Sequence, residues 1–166
     1  MNGLYRAVAS VVLFAGAVAP VRAAVIGPVD PLRFFAGVTE TDGTTKIVMH
    51  KAVRTRSIGR GEIEPDGSLI LVQRVEDEGR APYVRRWEIR QTGTGRFQGS
   101  MSEATGPISI EQVGARYRFT FKMKGNLSVE QWLTPLPGGL SASSNITVRK
   151  FGLPVASSIA TVRKVS

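Results

Sequence analysis

Along most of the chain, apolar residues fall on every second position. In Arg116–Met123 the side chains of Tyr117, Phe119, Phe121 and Met123 alternate with Arg116, Arg118, Thr120 and Lys122. A period of two sends successive side chains to opposite faces, so this stretch predicts a strand with one buried and one wet face. In Tyr83–Arg90 the same alternation groups Tyr83, Trp87 and Ile89 with Arg85, leaving Arg86, Glu88 and Arg90 opposite. An arginine is therefore expected among aromatics.

Further strands are expected at 44–53, 55–64, 68–77, 96–102, 107–113, 127–135, 139–150 and 154–164. Turn chemistry punctuates them: Asp42-Gly43, Pro65-Asp66-Gly67, Glu78-Gly79, Thr92-Gly93-Thr94-Gly95, Thr105-Gly106-Pro107, Gly125-Asn126 and Pro137-Gly138-Gly139. No amphipathic helix interrupts the series. The prediction is an all-β, antiparallel, up-and-down barrel of 8–10 strands over 44–166, because consecutive hairpins suit closure and closure removes exposed edges. A two-sheet sandwich is the competing arrangement. The stretch 25–43 reads as a lead-in segment, with Phe34-Phe35 plugging one end of the barrel.

Residues 1–24 break the pattern. Arg6 precedes an apolar run from Ala7 to Ala19, and Pro20-Val21-Arg22-Ala23-Ala24 follows with small residues. The run is shorter than the ~20 residues a membrane-spanning helix needs, so the segment reads as a secretory signal peptide and the protein as periplasmic or secreted. An uncleaved N-terminal anchor is the competing reading. No cysteine follows the run, so lipid attachment through a thioether is chemically excluded.

Composition narrows the chemistry. The chain of 166 residues carries 22 Lys+Arg against 13 Asp+Glu, a formal charge of +9, and losing residues 1–24 would remove two arginines and no acid. It has no Cys and a single His, His50. Disulfides, thiolate nucleophiles and metal sites built on thiolates or paired imidazoles are excluded, and no metal or cofactor is expected. No nucleophile elbow or His-bearing triad can be assembled, and Gly93-Thr94-Gly95-Arg96 is a hairpin turn rather than a phosphate loop. The aromatics face away from the Arg118, Lys122 and Lys124 row, which argues against nucleic acid as a partner. Anionic phospholipid head groups suit such a basic row better.

Seven spaced segments resemble a bacterial family, the domain of unknown function 3833. They are Phe34-Phe35-Ala36-Gly37, Arg85-Arg86-Trp87-Glu88-Ile89, Gly95-Arg96-Phe97-Gln98-Gly99, Ala104-Thr105-Gly106, Tyr117-Arg118-Phe119, Gln131-Trp132 and Lys150-Phe151-Gly152. The resemblance spans about residues 31–164 and implies a small exported lipocalin-like barrel. This chain departs from the pattern where acids are usual: Gln73 replaces one, Ser102-Glu103 stands for an acidic pair, and Gln131 follows Glu130 where an acid precedes the later Trp.

Strand parity points Arg85 and Lys150 into the barrel. A buried cation needs a partner, which could be an internal acid, Gln73, or the anionic head of a ligand. The expected ligand-binding set is Arg85 and Lys150 as cations, with Trp87, Tyr117, Phe119 and Phe121 as an apolar wall. The ligand would be a small apolar or lipidic anion held without catalysis. Two rivals follow from the same residues: an enzyme on a lipid-like substrate using Glu103 or Glu130 as proton carriers, and a structural or partner-binding envelope protein with a filled barrel.

Overall fold

The computed structural model describes residues 29–166; the expected signal peptide, 1–24, lies outside them. A short helix, α1 (Pro31–Phe35), leads into ten strands: β1 (Gly37–Ile47), β2 (Val53–Ile63), β3 (Leu69–Asp77), β4 (Tyr83–Gly93), β5 (Arg96–Met101), β6 (Ile108–Val113), β7 (Arg116–Met123), β8 (Leu127–Pro135), β9 (Ser141–Lys150) and β10 (Leu153–Lys164). Each strand pairs antiparallel with its neighbours in sequence, and β1 closes on β10 from Thr39 opposite Lys164 to Ile47 opposite Ala156. The fold is a closed up-and-down barrel, not a sandwich.

The first strand differs from its expected position. The lead-in segment ends at Ala36, and β1 occupies residues expected to precede the barrel. Asp42-Gly43 has turn chemistry but lies inside β1, with Gly43 opposite Ala160. A Cβ at Gly43 would collide with Ala160, so the glycine serves close packing across the closing seam.

Alternation fills the barrel unevenly. Around α1, the buried side chains of Leu32, Phe34, Phe35, Leu69, Ile89, Phe97, Ile110, Tyr117 and Leu133 form a solid core. Each fully buried Leu or Phe contributes about 1.5–3 kcal/mol relative to exposure. Asp30 caps α1 by accepting from the Leu32 amide at 2.9 Å, and Lys164 Nζ donates to the carbonyls of Arg33, Phe34 and Ala36. The expected Phe34-Phe35 plug is thus present, with the two rings edge-to-face at 5.0 Å.

The opposite end carries five turns, 48–52, 78–82, 102–107, 124–126 and 151–152. We call it the mouth. The β5–β6 pairing is short, from Arg96 opposite Glu111 to Gly99 opposite Ile108, and the 102–107 turn leans against β7 through a bridge between Ala104 and Met123.

Candidate functional site

Near the mouth the inward residues leave space. A cavity of about 410 Å³ opens there and meets a narrower chamber of about 110 Å³ that reaches down to Phe35. Arg85, Trp87, Gln131, Ile146 and Ser158 line both. One wall is apolar, formed by Trp87 and Met101 with Phe121, Val129, Ile146 and Val148. The other wall, on β1, β2 and β10, is short and hydroxylated: Thr45 Oγ1 donates to Ser158 Oγ at 3.1 Å, and Thr55 Oγ1 donates to Asp77 Oδ1 at 2.8 Å. Small side chains on that wall are the physical source of the void.

Arg85 points inward, as the alternation of β4 requires. Its Nε donates to Glu103 Oε1 at 2.8 Å and its Nη2 donates to the Tyr83 hydroxyl at 3.1 Å. The paired side chains are 26% and 28% exposed, so water partly screens the pair. Of the five guanidinium N–H groups, the Nη1 pair and one Nη2 hydrogen have no partner in this arrangement. Ser102 Oγ donates to the second Glu103 oxygen at 2.8 Å, fixing the carboxylate. Burial pushes the Tyr83 phenol up, against the opposing pull of Arg85.

The amide Gln73 serves the aromatic wall. Trp87 Nε1 donates to Gln73 Oε1 at 2.7 Å, and the indole meets Phe121 edge-on at 6.1 Å. Gln131 Nε2 donates to Ser144 Oγ at 2.9 Å. Both residues are neutral amides, and Glu103 is the one ion-pair partner of Arg85 among the described residues.

The expected binding set divides. Arg85 and Trp87 line both chambers, Phe121 the outer one and Phe119 the inner one. Tyr117 does not reach the space. It is buried at the α1 end, edge-on to Phe97 at 6.0 Å, because β7 begins there and parity says nothing about depth. Burial pushes its phenol up as well. Lys150 is also placed differently: it ends β9, exposed, with Nζ 5.8 Å from the Phe151 ring centroid. A strand end lets a long cation leave the interior for water. Sequence reasoning did not single out Tyr83 or Asp77 as lining residues, although their odd positions on β4 and β3 carry the same parity signal as Arg85.

The candidate proton carriers are not brought together. Glu103 meets the cavity's edge through Arg85, whereas Glu130 lies on the outer face of β8 with an oxygen 3.8 Å from Arg149 Nη1. His50 sits exposed in the β1–β2 turn at the mouth. Among the described residues no group of three His, Asp or Glu side chains could hold a metal ion.

The sequence matches no family model and no curated protein. Among solved structures, the S-type phycobiliprotein lyase of Guillardia theta is similar with a TM-score of 0.63 at 8% identity, over 81% of this chain and 90% of that one. A protein of unknown function from the DUF3598 family of Nostoc punctiforme is similar with a TM-score of 0.60 at 9% identity; the match covers 83% of this chain and 50% of that one. At such identity the likeness shows the fold alone: a lipocalin-like barrel.

Proposed function

We propose that the chain is an exported barrel of the kind its family resemblance implies, which holds a small apolar or lipidic molecule with an anionic head and does not convert it. The observation that carries this reading is an inward guanidinium, Arg85, where the two chambers meet, beside an apolar wall of Trp87, Phe121, Ile146 and Val148. Its volume lies within the ~300–1,000 Å³ of small-molecule sites. The tail lies along the aromatic wall, and the head meets the uncommitted N–H groups of Arg85 in charge-assisted hydrogen bonds. Glu103 already neutralises part of that cation, so the preference for an acid over its ester is modest. The likeness to a phycobiliprotein lyase supports a barrel that handles a small molecule, without naming it.

Decanoate and methyl decanoate, titrated against the wild-type chain and Arg85→Met, test the assignment. The acid is expected to lose about tenfold or more in affinity on substitution, the value of one charge-assisted contact of ~1.5 kcal/mol, and the ester little. Equal losses for both remove Arg85 from the role. Failure of the wild-type chain to bind either probe overturns the lipidic reading.

A further inference from the structure

The rim of the mouth is divided. Three turns adjacent around the barrel, β1–β2, β9–β10 and β7–β8, carry Lys51 and Lys124 and are flanked by Lys46, Lys122, Arg149 and Lys150, and no acid lies in 44–53, 120–128 or 145–157. The two remaining turns are of mixed charge, flanked or occupied by Asp77, Glu78 and Glu103 together with Arg80. The basic half also carries large apolar side chains that stand mostly in solvent: Met49 is 96% exposed, Phe151 77%, Leu153 70% and Val48 55%. The Val48 amide donates to the Val155 carbonyl at 2.9 Å, tying the two apolar turns into one unit.

Backbone conformation supplies a second, independent observation. Met49 has φ of 64° and Phe151 has φ of 51°. Side chains of this bulk rarely occupy the left-handed region, and Phe151 is followed by Gly152 at φ 83°, a two-residue hairpin that Asn-Gly would make without strain. The β7–β8 turn satisfies the same demand with Gly125 and Asn126, at φ 80° and 59°. A bulky, mostly exposed apolar residue in a strained turn adds little burial to the fold, which points to a contribution outside the barrel.

We propose that this basic, apolar half of the mouth docks on an anionic lipid bilayer. Phe151, Met49, Val48 and Leu153 enter the interfacial region while the surrounding lysines meet anionic head groups, the combination of buried apolar area and charge that holds interfacial segments. A second copy of the chain is a poorer occupant. A two-fold contact would set Lys46, Lys51, Arg149 and Lys150 against their own copies, like charge on like. Docking turns the cavity's opening toward the bilayer, and the surface stands whether or not the cavity holds the ligand proposed above.

The full chain, so that residues 1–28 are common to every variant, is sedimented with vesicles of phosphatidylcholine alone or with phosphatidylglycerol added. Wild-type binding is expected to favour the anionic vesicles, and the double substitution Met49→Ser with Phe151→Ser to weaken it about tenfold or more. Lys51→Glu with Lys150→Glu is expected to abolish the preference for phosphatidylglycerol. Tryptophan probes then locate the contact: Phe151→Trp is expected to be quenched by brominated lipid and Leu140→Trp, at the α1 end, to stay bright. Equal quenching of both probes, or vesicle binding indifferent to all four mouth substitutions, overturns the proposal. So does a dimer in sedimentation velocity that the same substitutions dissociate while vesicles are ignored. Decanoate binding, measured without vesicles, reads the cavity separately, so either proposal can fail alone.

Discussion

The α1 end and the mouth obey one alternation rule and reach opposite results. At the α1 end the inward positions hold Leu69, Ile110, Tyr117 and Leu133, and Phe34 and Phe35 fill what remains. At the mouth the inward positions of β1, β2 and β10 hold Thr45, Thr55, Ser57, Ala156 and Ser158, facing Trp87, Phe121 and Ile146 across an open space. Period two decides which side chains point in. Their volumes decide whether the interior closes. Stability therefore concentrates at one end and binding capacity at the other, within a single hydrogen-bonded wall.

Unfolding measurements can break that division. Leu133→Ala, in the solid core, is expected to cost about 2–5 kcal/mol in denaturant unfolding, because a close-packed site collapses poorly. Val148→Ala, beside existing space, is expected to cost under about 1.5 kcal/mol by the same measurement. Equal costs would mean that the two ends are packed alike.

Filling the void sharpens the comparison. Ser158→Leu adds volume where both chambers meet, so decanoate affinity is expected to fall about tenfold or more while stability changes by about 1 kcal/mol, the worth of the lost hydroxyl contact with Thr45. A large loss of stability with affinity retained would place the ligand elsewhere.

A smaller effect is expected from Glu103→Gln. Removing the competing carboxylate frees Arg85 for an anionic head, so decanoate should bind severalfold tighter; the half-wet ion pair is worth at most about 1 kcal/mol to stability. Weaker binding would show that Glu103 orients Arg85 rather than competing for it.

The smallest expected effect is alkaline. Burial raises the phenols of Tyr83 at the mouth and Tyr117 at the α1 end above the ordinary 10.0. Their neutral forms contribute stability that is complete below that value and is lost as pH rises through the folded-state value. Tyr83→Phe and Tyr117→Phe are each expected to reduce the loss of stability above pH 10.0. An unchanged alkaline limb in both variants would assign that loss to other groups.

Much of the site was legible residue by residue. Parity alone put Arg85 beside Trp87 and Tyr83, and the need of a buried cation for a partner anticipated an internal acid; Glu103 fills that place at 2.8 Å. Gln73 was the other candidate partner and instead accepts from Trp87. Parity failed for Lys150 and Tyr117, because alternation gives the face and not the height along the axis. Turn chemistry failed at Asp42-Gly43, where glycine answers to a neighbouring strand rather than to a reversal.

Local rules were enough for strand content, hairpin order and the inward set, since all three depend on neighbours within a few residues. Closure of β1 on β10, the pairing of Arg85 with Glu103 and the void between unlike walls join residues from different strands. Side-chain volumes summed around a ring of ten strands decide whether space survives, and no single segment of the chain contains that sum.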